Sequence, residues 1–295
     1  MIEVKGLTLT YPSGKGVFDL DFRVEEGALM GYLGPNGAGK TTTIRALLGF
    51  MDPDRGSCSI GGHDCTREAS EIQKTLGYIP GEITFLEDMG GDEFLRFMSE
   101  MRGTRDNAMQ KRLLEMFELD PKGKIRKFSK GMKQKLAIVT ALMHDPEVLI
   151  LDEPTSGLDP LMQNRFLEVL AEEKAKGKTI LMSSHIFEEV EKICDNVLII
   201  KDGRIVKQAD VQTLKDSQRK GFSIRCAEAP ELGKLLTQGG FEATLVDKDR
   251  LEVTVTGENI DSLIKTCARF KVLAFDGRNQ SLEDIFMQYY GKEGR

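Results

Sequence analysis

The sequence predicts an α/β fold: a mostly parallel sheet with an antiparallel β flank and a helical insertion, followed by a small α+β domain. Three observations carry this. Apolar runs at 148–151, 179–183 and 197–200 alternate with helical periods at 161–174 and 187–193, the pattern of successive βαβ units. A glycine-rich turn joins the apolar run at 28–33 to a helical pattern at 44–48. Beyond residue 221 the order of periods changes to βαββαβ, the split βαβ or ferredoxin-like arrangement.

At the N-terminus Leu7, Leu9 and Tyr11 alternate with threonines, and Phe18, Leu20, Phe22 and Val24 share a face opposite polar residues. Both read as half-buried strands of an antiparallel flank, leading into a fully buried strand that ends at Leu33. After the first helix, residues 52–56 form a turn, 57–60 a short strand, and 76–79 a strand stopped by Pro80. From 92 to 118 the period becomes helical, with Phe94, Phe97, Met98 and Met101 on one face and Leu113, Leu114, Met116 and Phe117 in a second helix. Residues 132–143 are apolar nearly all round and predict a buried helix. A polar stretch at 215–221 separates this region from the second domain, whose strands are expected at 222–226, 241–246, 251–256 and 272–275, its helices at 232–237 and 260–270, and a closing helix at 282–290.

The turn at 34–42 reads Gly34-Pro35-Asn36-Gly37-Ala38-Gly39-Lys40-Thr41-Thr42. Behind a strand and ahead of a helix, this spacing makes a phosphate-binding P-loop (Walker A): the glycines let successive amides point inward, and the helix adds the positive end of its dipole. Lys40 is placed to reach the β- and γ-phosphates and the Thr41 hydroxyl to ligate Mg²⁺. Such a pattern arises by chance in on the order of one chain in a hundred of this length, so the rest of the sequence has to carry the assignment. The apolar run Val148-Leu149-Ile150-Leu151 ends in two carboxylates. Asp152 is the Walker B type of residue that holds Mg²⁺ opposite Thr41, and Glu153 is placed to polarise a water in line with the γ-phosphate.

Between these motifs lies Phe128-Ser129-Lys130-Gly131-Met132-Lys133-Gln134. This segment resembles the L-S-G-G-Q signature of ATP-binding-cassette (ABC) ATPases. Ser156-Gly157-Leu158-Asp159 resembles that family's D-loop, and His185 after a strand resembles its switch histidine. The resemblance covers residues 1–215 and implies an ABC ATPase core with a helical subdomain at about 83–145, followed by an accessory domain at 221–295. It implies ATP and Mg²⁺ as ligands, Tyr11 stacked on adenine, and His185 at the γ-phosphate. It also implies that Ser129, Lys130, Gly131 and Met132 grip the nucleotide of a second copy or a paralogous subunit, and it gives Asp159 as the D-loop residue. The working unit would then be a head-to-tail pair around two ATP molecules, driving a separate membrane permease. Two departures stand out: Gly81-Glu82 occupies the place of the family's Q-loop glutamine, leaving Glu82 as a candidate metal contact, and Lys130 and Met132 replace glycine and glutamine in the signature. The tail Gln280-Ser281-Leu282-Glu283-Asp284-Ile285-Phe286 resembles that of drug, antibiotic and bacteriocin exporter subunits.

Bulk properties narrow the partners. A net charge of -6 argues against a nucleic-acid-binding surface. No apolar run approaches the roughly 18–20 residues of a membrane span, and the charged start Met1-Ile2-Glu3-Val4-Lys5 lacks a secretory core, so a cytoplasmic protein is expected, at the membrane's inner face through the permease that the resemblance implies. Five scattered cysteines fit reduced thiols. A soluble ABC ATPase acting on ribosomes or DNA is the alternative. Such proteins usually carry two cassettes and basic patches, whereas this chain has one P-loop and is acidic. Glu153 and His185, both present, count against a non-hydrolytic module.

Overall fold

The computed structural model describes residues 1–103, 107–216, 220–255 and 259–279. The chain divides into two compact units, with the boundary between Val211 and Gln212. The expected closing helix and the exporter-like tail lie outside the described residues.

In the first unit, strands β1 (Ile2–Thr10), β2 (Gly16–Val24), β4 (Arg55–Ile60) and β5 (His63–Asp64) form an antiparallel sheet in the order β2-β1-β4-β5. The face expected for β2 holds only in part. Asp19 adopts φ 53°, and this kink lets Val17 take the buried position while Phe18 stays half-exposed beneath the Arg204 guanidinium, 5.5 Å from its ring centre.

The second sheet has the order β10-β9-β3-β8-β7-β6. Its strands β3 (Leu29–Leu33), β6 (Leu76–Ile79), β7 (Val148–Asp152), β8 (Thr179–Ser184) and β9 (Asn196–Lys201) run parallel, and β10 (Arg204–Asp210) pairs antiparallel with β9. Every residue of β3, β7 and β8 is buried, as expected of a parallel sheet covered on both faces. The helices are α1 (Lys40–Leu47), α2 (Ala69–Thr75), α6 (Pro160–Ala175) and α7 (Phe187–Ile193), with α8 (Val211–Asp216) at the unit boundary. Inserted between β6 and β7 are α3 (Gly91–Arg102), α4 (Ala108–Met116) and α5 (Lys130–Leu142). In α3 the structure buries Phe94, Leu95 and Ser99 but leaves Phe97 and Met101 exposed, so only part of the expected apolar face turns inward.

The second unit contains β11 (Lys220–Cys226), α9 (Ala229–Gln238), β12 (Glu242–Asp247), β13 (Arg250–Val255), α10 (Ile260–Cys267) and β14 (Val272–Asn279). Its antiparallel sheet has the order β12-β13-β11-β14, so the strand before each helix and the strand after it are separated by one from the other half: a split βαβ topology. Its core joins Ile224 and Cys226, Leu251 to Val255 at alternate positions, and the i, i+4 pairs Leu232/Leu236 and Leu263/Cys267.

Candidate functional site

The site forms where β3, β7 and β8 end. In parallel α/β sheets, loops at the carboxyl ends of the strands frame the crevice. Leu33 ends β3, and the chain curls through Gly34–Gly39 into α1. Only glycine suits two of these positions. A Cβ on Gly34 would lie 2.7 Å from the Ile200 carbonyl oxygen, and Gly39, at φ 114°, would drive a Cβ to 2.6 Å from Val17. Gly39 stands at the N-cap of α1 with no side chain to cap it, so the first amides of the helix point into the loop with no intrahelical acceptor. They make an anion site together with the helix dipole.

A cleft of about 350 Å³ is lined by Pro35, Asn36, Gly37, Gly39, Lys40, Thr41, Thr42, Gly81, Glu82, Asp152 and Glu153. Most of the residues singled out in the sequence therefore converge. Lys40 is 5% exposed, and its Nζ donates to the Gly34 carbonyl at 2.6 Å and lies 3.4 Å from Glu153 Oε1. Thr41 Oγ1 donates to Asp152 Oδ2 at 2.7 Å. Asp152 is buried at the end of β7, and Glu153 follows it at φ 49°. This left-handed turn swings the Glu153 carboxylate to the mouth of the cleft, where its Oε2 lies 3.3 Å from His185 Nδ1. Gly81 approaches closely, since a Cβ there would stand 3.1 Å from Asp152 Oδ2. Glu82 beside it is exposed.

Other expected site residues lie elsewhere. Tyr11 does not line the cleft; its hydroxyl is 3.4 Å from Thr42 Oγ1 and donates to Met51 Sδ. Ala38 is buried under the loop. Ser129 caps α5, its Oγ accepting from the Met132 amide at 3.2 Å. Lys130 is exposed, and its aliphatic stem packs against Gly157, while a Cβ on Gly131 would stand 3.1 Å from the Gly157 carbonyl. Asp159 caps α6, Oδ1 accepting from the Met162 amide at 3.0 Å. The signature and the D-loop segment are thus packed together, apart from the cleft of their own chain.

Two residues escaped the sequence reading. Ser183 Oγ donates to Asp152 Oδ1 at 2.5 Å and accepts from the Glu153 amide at 3.0 Å, so it orients both carboxylate-bearing residues. A polar residue ending an otherwise apolar strand was the available signal. Gln134, buried in α5, donates to the Pro154 carbonyl at 2.5 Å, tying the signature helix to the turn after Glu153.

Comparison with known proteins agrees with this geometry. The ABC transporter family model matches residues 17–156. The daunorubicin resistance ATP-binding protein DrrA3 of Streptomyces coeruleorubidus is 30% identical over 306 residues, covering 100% of this chain and 97% of that protein. The bacitracin transport ATP-binding protein BcrA of Bacillus licheniformis is 37% identical over 243 residues, covering 81% of this chain and 79% of that protein. A solved ATP-binding subunit of an ABC transporter superposes with a TM-score of 0.67 at 36% identity, covering 73% of this chain and 92% of its own. The chain belongs to the ABC transporter family, as one of its ATP-binding subunits.

Proposed function

We propose that the chain hydrolyses ATP to drive a separate membrane permease, working as a head-to-tail pair with a second copy or a paralogous subunit. One observation carries this: Lys40, Thr41, Asp152 and Glu153 line a single cleft and His185 stands 3.3 Å from Glu153, each with the chemistry phosphoryl transfer to water needs. The amides of residues 37–42 and the Lys40 ammonium hold the β- and γ-phosphates. Thr41 and Asp152, hard oxygen donors 2.7 Å apart, are the residues that would hold Mg²⁺, with Glu82 at the rim as a third candidate. Such an ion neutralises charge on the phosphate oxygens.

Glu153 accepts the proton of a water whose oxygen attacks the γ-phosphorus. The bond from that phosphorus to the β,γ-bridging oxygen breaks, and ADP keeps the electron pair. His185, next to Glu153, holds the γ-phosphate and the water in line. Tyr11, beside Thr42, is the residue we assign to the adenine. We assign Ser129, Lys130, Gly131 and Met132 to the nucleotide of the partner, as the resemblance of this segment to the family signature implies, with Asp159 in the neighbouring D-loop; their absence from the lining of their own chain's cleft supports this.

The names of the relatives support a drug, antibiotic or peptide as cargo and export as the direction. Among the described residues no helix is long and apolar enough to cross a membrane; we assign the chain to the inner face of the membrane, held there by the permease. We assign the cassette to residues 1–215, with its helical subdomain at about 83–145, and an accessory role to 221–295.

Glu153→Gln is expected to keep ATP affinity, to lower turnover at least ~10²-fold, and to trap an ATP-dependent dimer visible by size-exclusion chromatography. Undiminished hydrolysis would overturn the assignment. Lys40→Ala should instead weaken ATP binding in a direct titration.

A further inference from the structure

Glu189 sits on α7 outside the cleft, and it is only 5% exposed. Its Oε2 accepts from Ser184 Oγ at 3.0 Å, and Ser184 Oγ in turn accepts from the Ile186 amide at 2.9 Å. His185 lies between these two residues. The turn that presents the imidazole is therefore closed by one hydroxyl whose proton is directed to Glu189. Burial pushes the pKa of this carboxyl up, and the hydroxyls of Thr155 and Ser184 offset part of that push. Thr155 follows Glu153 by two residues, and its carbonyl accepts from the Leu158 amide at 3.1 Å. The Glu189 carboxylate is tied by a hydrogen bond to the segment bearing His185. Its other oxygen, Oε1, has no close hydrogen bond among the described residues. Burying a carboxylate with one oxygen unmatched costs stability.

We propose that Glu189 is a positioning residue for ATP hydrolysis: through Ser184 it fixes the turn that carries His185, so that the imidazole keeps its 3.3 Å separation from the Glu153 carboxylate. The inference rests on the hydrolytic reading above. It differs from a general packing role because its whole effect passes through His185.

The test is a double-mutant cycle in the full-length protein, with steady-state ATPase kinetics as the readout. Glu189→Leu should lower kcat by roughly 10- to 100-fold, the scale of a misplacement near 1 Å, with KM for ATP unchanged because the phosphate-binding loop is untouched. Glu189→Gln keeps an acceptor for Ser184 and should recover most of the loss. In a His185→Ala background, Glu189→Leu should add little, since residues acting as a unit are not additive. Should the leucine variant fold poorly, Glu189→Asp, shorter by one methylene, takes its place in the cycle. Full kcat in these variants, or the same fold-loss with and without His185, would overturn the inference while leaving the hydrolytic reading intact. A His185→Ala enzyme with wild-type turnover would overturn the inference together with the role given to His185, whereas undiminished hydrolysis by Glu153→Gln is what overturns the hydrolytic reading.

Discussion

At the scale of single residues, Ser183 decides how well Asp152, the carboxylate proposed to hold Mg²⁺, is aimed. Asp152 is 1% exposed, and its two oxygens are divided between hydroxyls, Oδ1 accepting from Ser183 at 2.5 Å and Oδ2 from Thr41 at 2.7 Å. Second partners of this kind fix a metal ligand's orientation, and losing one typically costs about 10- to 100-fold in metal affinity. Ser183→Ala should therefore move the Mg²⁺ concentration giving half-maximal ATPase activity upward by roughly that factor. Binding of ATP without the ion should change little, because Lys40 and the loop amides are not involved. A Mg²⁺ titration of turnover checks this, and an unmoved midpoint would show that Thr41 alone holds Asp152 in place.

At the scale of elements, what the sequence reveals depends on how local the determinants are. The strand, loop and helix from Leu29 to Leu47 were legible because glycines, lysine and threonine at fixed spacing make the phosphate loop within a few residues of chain. The buried run before Asp152 was legible for the same reason. Ser183 and Gln134 were not, since their partners lie 31 and 20 residues away and only the folded sheet brings them together. The β2 face was misread at Phe18 because alternation assumes an unbroken pleat, whereas Asp19 kinks it. In α3, period alone could not say that Phe97 and Met101 stay uncovered. Besides the buried Phe94 and Leu95, a polar group anchors the end of that helix: Arg102 donates to the Gln73 and Leu76 carbonyls at 2.6 and 3.1 Å and lies 3.0 Å from His144 Nε2. Burial, with the Arg102 charge beside it, pushes His144 from 6.5 down to about 4. Between those values the unfolded chain binds a proton that the folded chain refuses, so stability is lost as pH falls through 6.5 toward 4 and is unaffected by this group above 6.5. The slope approaches at most about 1.4 kcal/mol per pH unit. His144→Gln should flatten the fall in the urea midpoint between pH 7 and pH 5; an unchanged fall would place the proton uptake elsewhere.

At the scale of the whole molecule, the two units bring separate cores. The first centres on residues such as Ile2, Leu20, Tyr32, Ile44 and Ile150, the second on Ile224, Leu232, Leu251 and Leu263. The cleft is built wholly from the first, since every residue lining it precedes Val211. A ligand stabilises only the cooperative unit whose native state it binds. Calorimetry of the Glu153→Gln variant, which holds ATP without consuming it, should therefore resolve two transitions, because multidomain chains with independent cores depart from two-state melting. Saturating Mg·ATP at about 100 times its dissociation constant adds about 2.7 kcal/mol to the unit that binds it. For a unit of this size that corresponds to a rise of roughly 5–10 °C. The upper or lower transition belonging to residues 1–211 should rise by this amount, and the other should stay where it is. If both rise together, the second unit unfolds with the cassette, and the accessory domain is energetically part of the ATP-binding machine rather than an attachment to it.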